Sequence, residues 1–296
     1  MPLGKILDGE ADDATCRAYA RFVAETTATY MAEVYRITRR HFPWARFGVP
    51  IGHFADFPHG QWRTLVVKKM CAVSPDFTAR WSGMGFVKGF ANGNVPARRI
   101  SSAAHFYGCR FGEEAAWFID RDLAPTALYE TIANGSTMLH NDFGNILKAD
   151  DEVNRMMRTP LYDLPETSVA VLWPDDEEAR LAGKEPSDCF AAGAFVSAMR
   201  KAAARLRAAT DYAICDSLMV RDGFLAACGV KRLVLLDGRE PAALAGEIAA
   251  FRAKGGEVVS ADAYPEPPAK PVYRTVHRGH VTTFDQATGK IDVRPR

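Results

Sequence analysis

Short apolar stretches that end at a polar or ionisable residue, each followed by a helical stripe, recur along the first half of this chain. That alternation narrows the fold more than any other feature. Phe47-Gly-Val-Pro-Ile-Gly-His53 is apolar up to His53 and opens into a loop with Asp56 and His59. Phe77-Thr-Ala-Arg-Trp81 is a second candidate strand, ahead of the glycine-rich segment 82–93. Arg99-Ile-Ser-Ser-Ala-Ala-His105 reads as a third, crowded strand, with Tyr107 and the stop residue Gly108 behind it. Met138-Leu-His-Asn-Asp142 is the fourth. Helical stripes are expected over 12–41, capped by Asp12 or Asp13, around Trp62 to Met70, over 113–133 up to Asn134-Gly135, and near 150–158. Strands alternating with helices imply parallel pairing and right-handed crossovers. Reactive side chains then gather where the strands end, and His53, Arg80, His105, His140 and Asp142 all fall at or just past such ends.

Pro160 to Glu166 reads as a linker, and the texture changes after it. Ser168 to Trp173, Asp211 to Met219, Lys231 to Asp237 and Glu257 to Ser260 are short, strongly apolar strands. An Ala-rich helix capped by Ser187 and running to Ala209, and another from Pro241 to Lys254, lie between them. This is the pattern of a small doubly wound α/β unit. A proline-rich segment, 265–271, leads to a tail with β alternation around Gln286-Ala-Thr-Gly289. The expected fold class is therefore α/β: parallel strands alternating with helices over 1–160, a small doubly wound, flavodoxin-like domain over 167–263, and a β tail over 264–296. That the first of these is a partial (β/α) barrel is what the family resemblance below implies.

Composition excludes several function classes. The net charge of +1 over 296 residues supplies no field to recruit nucleic acid or an anionic membrane. No apolar run approaches the roughly 20 residues that cross a bilayer, and Met-Pro-Leu-Gly-Lys has no apolar signal core. The six cysteines are scattered without a C-x-x-C pair, which suits reduced, mostly buried thiols in a cytoplasmic protein rather than disulfides or zinc. Gly83-Met-Gly85 lacks the third glycine and acidic partner of a dinucleotide site, and no Walker motif or H-x-x-x-H spacing is present. No metal and no cofactor are expected.

Val169-Ala-Val-Leu-Trp-Pro174, Val234-Leu-Leu-Asp237 and Phe251-Arg-Ala-Lys-Gly-Gly-Glu-Val-Val259 resemble the glutamine-amidotransferase-like trimerisation domain of family 42 glycoside hydrolases, the β-galactosidase-like proteins. In those proteins it follows the catalytic barrel. An active amidotransferase needs a cysteine on a tight elbow beside a histidine. Gly238-Arg-Glu-Pro follows the strand ending at Asp237, and no histidine lies between 141 and 276, so this unit is expected to pack or assemble rather than react. Residues 12–158 are similar in order and texture to the later half of the family's barrel, strands five to eight. The resemblance implies one carboxylate after strand four and another near the end of strand seven, which retaining hydrolysis uses as acid/base and nucleophile. In this alignment of elements the first helix is the barrel's fourth, so strand four falls outside the sequence. Strand seven is the stretch 99–105, where Ala103-Ala104 occupy the place of the glutamate.

Two readings follow. In the first, a glycoside hydrolase-like protein works with other groups: His105 as acid or base, Tyr107 as hydrogen-bond donor or nucleophile, and Asp142 as the remaining strand-end carboxylate. His53, Arg80, Trp81, His140 and Asn141 would then bind the sugar, the indole by stacking and the guanidinium through hydroxyls. Glu113 and Glu114 are read as first-turn helix carboxylates. In the second, the protein is a degenerate glycosidase relative that binds sugar or only assembles. Either way the unpaired edges of half a barrel favour homo-oligomers.

Overall fold

The computed structural model describes residues 5–6, 8–52, 62–74, 76–83, 90–115, 124–137, 139–140, 165–182, 184 and 193–296. Four strands, β1 (Gly48–Gly52), β2 (Thr78–Gly83), β3 (Arg110–Ala115) and β4 (Leu139–His140), form a parallel sheet in sequence order. Helix α1 (Asp13–His41) precedes it, and α2 (Trp62–Val73), α3 (Phe90–Tyr107) and α4 (Ala124–Ala133) lie between its strands. Asp12 caps α1 by accepting the Thr15 N–H at 2.7 Å, as the sequence leads one to expect. Ile51, Ala79 and Phe111 share one core with Val66, Met70, Ile100, Ala103 and Ala104, so α2 and α3 cover the same face of the sheet. Glu113, on the parity of Phe111, reaches α4 on that face too.

The expected strand at 99–105 is wrong. Those residues belong to α3, and the third strand is Arg110–Ala115, which overlaps the start of what was read as helix over 113–133. The reason is physical. Every residue from Val95 to Ala104 is buried, because sheet β1–β4 packs on one side of α3 and the second half of the chain on the other. A helix buried all round loses its polar stripe and reads like a crowded strand. Ser101, Ser102, Ala103 and Ala104 are small because α3 is squeezed between two layers. Gly108, at φ +84°, ends the helix rather than a strand: its N–H donates to the His105 carbonyl and that of Cys109 to the Ala104 carbonyl. Asn134-Gly135 ends α4 in the same manner, with Gly135 at φ +62°.

The second half builds another parallel sheet, β5 (Val169–Leu172), β6 (Ala213–Cys215), β7 (Arg232–Leu235) and β8 (Glu257–Ser260), in the order β6-β5-β7-β8. Helices α5 (Asp175–Arg180), α6 (Ala194–Ala209), α7 (Ser217–Arg221), α8 (Phe224–Ala227) and α9 (Ala245–Ala253) connect its strands. Both faces are covered. Ala170, Leu172, Leu233 and Leu235 enter the core shared with α3, and Val171, Trp173, Val234 and Leu236 pack with Val196, Ala203 and Leu206 of α6. Burial on both faces explains why these strands are continuously apolar. Two expectations are corrected. The strand from Asp211 stops at Cys215, because Asp216 caps α7 by accepting the Met219 N–H. Helix α6 begins at Ala194 after Gly193, and Ser187 lies outside the described residues, as does the helix expected near 150–158. The tail forms an antiparallel sheet of β9 (Val272–Val276), β10 (His280–Asp285) and β11 (Lys290–Pro295), order β11-β10-β9.

Buried charges join the layers. Arg99 of α3 pairs with Glu178 at 3.1 Å and stacks 4.0 Å over the Trp173 ring, whose Nε1 donates to the same carboxylate at 2.7 Å. Arg98 pairs with Asp211 at 3.1 Å. Ser102 Oγ accepts the Ile214 N–H of edge strand β6. Arg207 of α6 donates to Thr275 of the tail and to Tyr129 of α4.

Candidate functional site

His105 and Tyr107 do not stand at strand ends. They lie in the last turn of α3, and a helix that returns the chain to the start of a parallel strand finishes at the amino edge of the sheet. The carboxyl ends of β1–β4 are at the opposite edge. Burial and the nearby Arg98 cation push the His105 imidazole down to about 3, against a weaker opposing contact with the Gly135 backbone. The shift favours the neutral imidazole. Tyr107 donates to Asp222 at 2.7 Å, and Lys68 pairs with the same carboxylate at 2.6 Å. Burial and this carboxylate raise the phenol above its ordinary range. Tyr107 serves the seam between α3 and the second half, whereas His105 faces the end of α4.

The remaining expected residues divide by where they fall. His53, Asn141 and Asp142 lie outside the described residues. Trp81 and His140 belong to β2 and β4, and only their backbone positions are described. Arg80 is half-buried in mid-strand β2, in register with Pro50 and Gly112. A Cβ on Gly48 would stand 2.9 Å from Arg80 Cδ, so the arginine stem crosses over β1. Its parity is opposite to that of Ala79, which places it on the face away from α2, α3 and α4. Among the described residues, these three are the helices in substantial contact with the sheet.

The register then collects a row that the sequence reading missed. Ser82, Glu114 and His140 are aligned across β2, β3 and β4 near their carboxyl ends, on the parity of Arg80 and Gly112. Glu113, one residue earlier, belongs to the helix-covered face. Its carboxylate accepts Thr131 Oγ1 at 2.8 Å and Asn134 Nδ2 at 2.9 Å, while its N–H donates to Ser136 Oγ at 3.1 Å. Burial pushes Glu113 up to about 7. Glu130, equally buried and beside Glu113, is raised well above the carboxylate range. The missed signal was local: Cys109, Phe111 and Glu113 alternate with Arg110 and Gly112 after a helix-ending glycine.

Among the described residues, no group of three or more His, Cys, Asp or Glu side chains is arranged to hold a metal ion, and no helix is long and apolar enough to cross a membrane. Cys16, Cys109 and Cys215 are buried free thiols, whereas Cys71 is half-buried and Cys228 exposed. Comparison with protein-family models, curated proteins and solved structures found no match.

Proposed function

We propose that this chain acts on or binds a carbohydrate as a glycoside hydrolase-like protein resembling family 42. In this reading β1–β4 serve as strands five to eight of a (β/α) barrel, and 167–263 as a flavodoxin-like, glutamine-amidotransferase-like assembly domain. The observation that carries it is Glu114. With the third strand at Arg110–Ala115, a glutamate stands near its carboxyl end, where the resembled family has the carboxylate of strand seven. Parallel order, helices on one face, and Arg80, Ser82, Glu114 and His140 on the parity of the other face support the same reading. Retaining hydrolysis uses a second carboxyl group about 5–5.5 Å from the first. Asp142, two residues beyond the register partner of Glu114, is the candidate this sequence offers.

Turnover of an aryl glycoside panel by the full-length protein, its Glu114→Gln form and its Asp142→Asn form tests the reading. A nucleophilic Glu114 predicts a fall in kcat of about a thousandfold or more in Glu114→Gln with sugar affinity retained. Wild-type turnover in that variant removes the catalytic reading. Sugar binding without wild-type turnover selects the alternative, a degenerate sugar-binding or assembly protein. That alternative is favoured by the presence of one carboxylate, Glu114, in this row among the described residues. The domain resemblance also predicts a homo-oligomer, and the free thiols a reducing, cytoplasmic setting. A monomer in light scattering overturns the assembly role.

A further inference from the structure

The second parallel sheet carries a crevice that the carbohydrate reading does not use. Strand β5 is central; the chain leaves it for β6 through α6 on one face, whereas β7 connects to β8 through α9 on the other. Connections that diverge in this way open a gap beyond the carboxyl ends of the strands, where doubly wound sheets bind ligands. Here the gap is a cavity of about 480 Å³, large enough for a metabolite. Asp175 after β5 and Ser217 after β6 form its floor, and Asp237 and Arg239 after β7 one wall. Helix α1 closes the top with Ala20, Arg21 and Ala24.

Its charges are unequal once internal pairs are set aside. Glu25 is held by Lys69 at 2.7 Å, Asp176 by Arg17 through two hydrogen bonds of 3.0 Å, Glu177 by Arg180, and Glu240 by Arg252. Asp175 is buried and accepts both the Ser217 N–H at 2.9 Å and its hydroxyl at 2.6 Å. That leaves three guanidinium groups, Arg21, Arg221 and Arg239, which have no hydrogen bond or ion pair among the described residues. Against them stand two carboxylates, Asp175 on its Ser217 contacts and Asp237, which accepts the Arg239 backbone N–H. Three open cationic forks around a metabolite-sized cavity match a planar or tetrahedral oxyanion.

We propose that this crevice binds a small organic anion, a phosphate or carboxylate group on a body up to nucleotide size, through Arg21, Arg221 and Arg239. The side chains come from three elements: Arg21 from α1, Arg221 from the end of α7, and Arg239 from the loop after β7. Binding therefore ties the first half of the chain to the second, and occupancy stabilises the whole chain. The site is separate from the Glu114 row, so its ligand need not be a substrate of the proposed hydrolase.

The test is thermal unfolding of the full chain with inorganic phosphate, adenosine monophosphate or citrate at about 10 mM, against sodium chloride of equal ionic strength. The expected result is a rise of about 3 °C or more with at least one oxyanion. The rise should be lost in both Arg21→Gln and Arg239→Gln, which change exposed side chains and keep the unliganded melting temperature. Protection by phosphate or the nucleotide identifies a phosphate ligand, and protection by citrate alone a carboxylate. No protection beyond the salt control overturns the proposal, as does equal protection of wild type and variants. Aryl-glycoside turnover measured alongside is expected to be unchanged in both variants, so failure here leaves the Glu114 reading untouched.

Discussion

The two parallel sheets have the same number of strands and differ in what their helices leave uncovered. In β1–β4 the strands follow sequence order, and the described helices between them lie on one side, while glycine, proline and polar residues take the parity of the other face. In β6-β5-β7-β8 the order reverses at β5, helices cover both faces, and a crevice lies beyond the carboxyl ends of the strands. One topology leaves its polar positions on a face, the other on the rim of a crevice. Helix α3 serves both, as outer layer for the first sheet and as cover for edge strand β6 of the second.

The largest expected effect tests whether α3 joins the two regions into one unit. Arg99→Ala leaves Glu178 charged and buried beneath Trp173, and should cost about 3–5 kcal/mol in urea unfolding. A loss below about 1 kcal/mol would mean that the apolar contacts of α3 and the Arg98–Asp211 pair hold the sheets together without this one. The faces of the first sheet can then be separated. Phe111→Ala removes a fully buried ring and should cost about 3–5 kcal/mol, whereas Arg80→Ala, on the face away from α2, α3 and α4, removes a half-buried side chain and should cost less. Similar losses for the two would erase the distinction between covered and open face.

A smaller effect depends on pH. Glu113 is pushed up to about 7 in the folded chain by burial, and Glu130 well above its ordinary value by burial and by Glu113. A carboxyl group that holds its proton more tightly when folded stabilises the fold fully below its unfolded value. It loses that contribution as pH rises through the folded value. Glu130→Gln removes one of the two charges that would repel. Its stability relative to wild type should improve by roughly 1–3 kcal/mol between about pH 5 and pH 8, measured by urea midpoints. A constant difference across that range would show that the pair does not titrate. In the second sheet, Asp216 is pushed up to about 7 by burial and by Asp175, and Asp216→Asn, which can still cap α7, should shift in the same direction. The smallest expected effect is Gly108→Ala. The position has φ +84° and open space around it, so the cost is about 1 kcal/mol from backbone conformation alone. No cost would mean that α3 does not end as described.

Much of the architecture was legible in the sequence. Strands at 48–52, 78–83 and 139–140 fall where apolar stretches meet polar ends, and β5, β7 and β8 are bounded by the residues that mark them. Those segments have either a one-sided periodicity or a continuous apolar run short enough to be a strand. The candidate site was less legible. His105 and Tyr107 were drawn to it by a wrong element, and Glu114 was set aside as a helix carboxylate for the same reason. One misread segment moved two residues to the wrong edge of the sheet and gave Glu114 the wrong element.

The sequence by itself determined the parallel alternation, the caps at Asp12 and Asn134-Gly135, the apolar strands of the second sheet and the hairpin of the tail. Each is a short-range matter of side-chain period or turn geometry. Only the tertiary structure decided that Val95–Ala104 is helical, that Arg98 and Arg99 are buried joints, and that Arg21, Arg221 and Arg239 surround one crevice. A segment packed on two sides carries no polar stripe to reveal its period, and charges brought together from residues over two hundred positions apart leave no local trace.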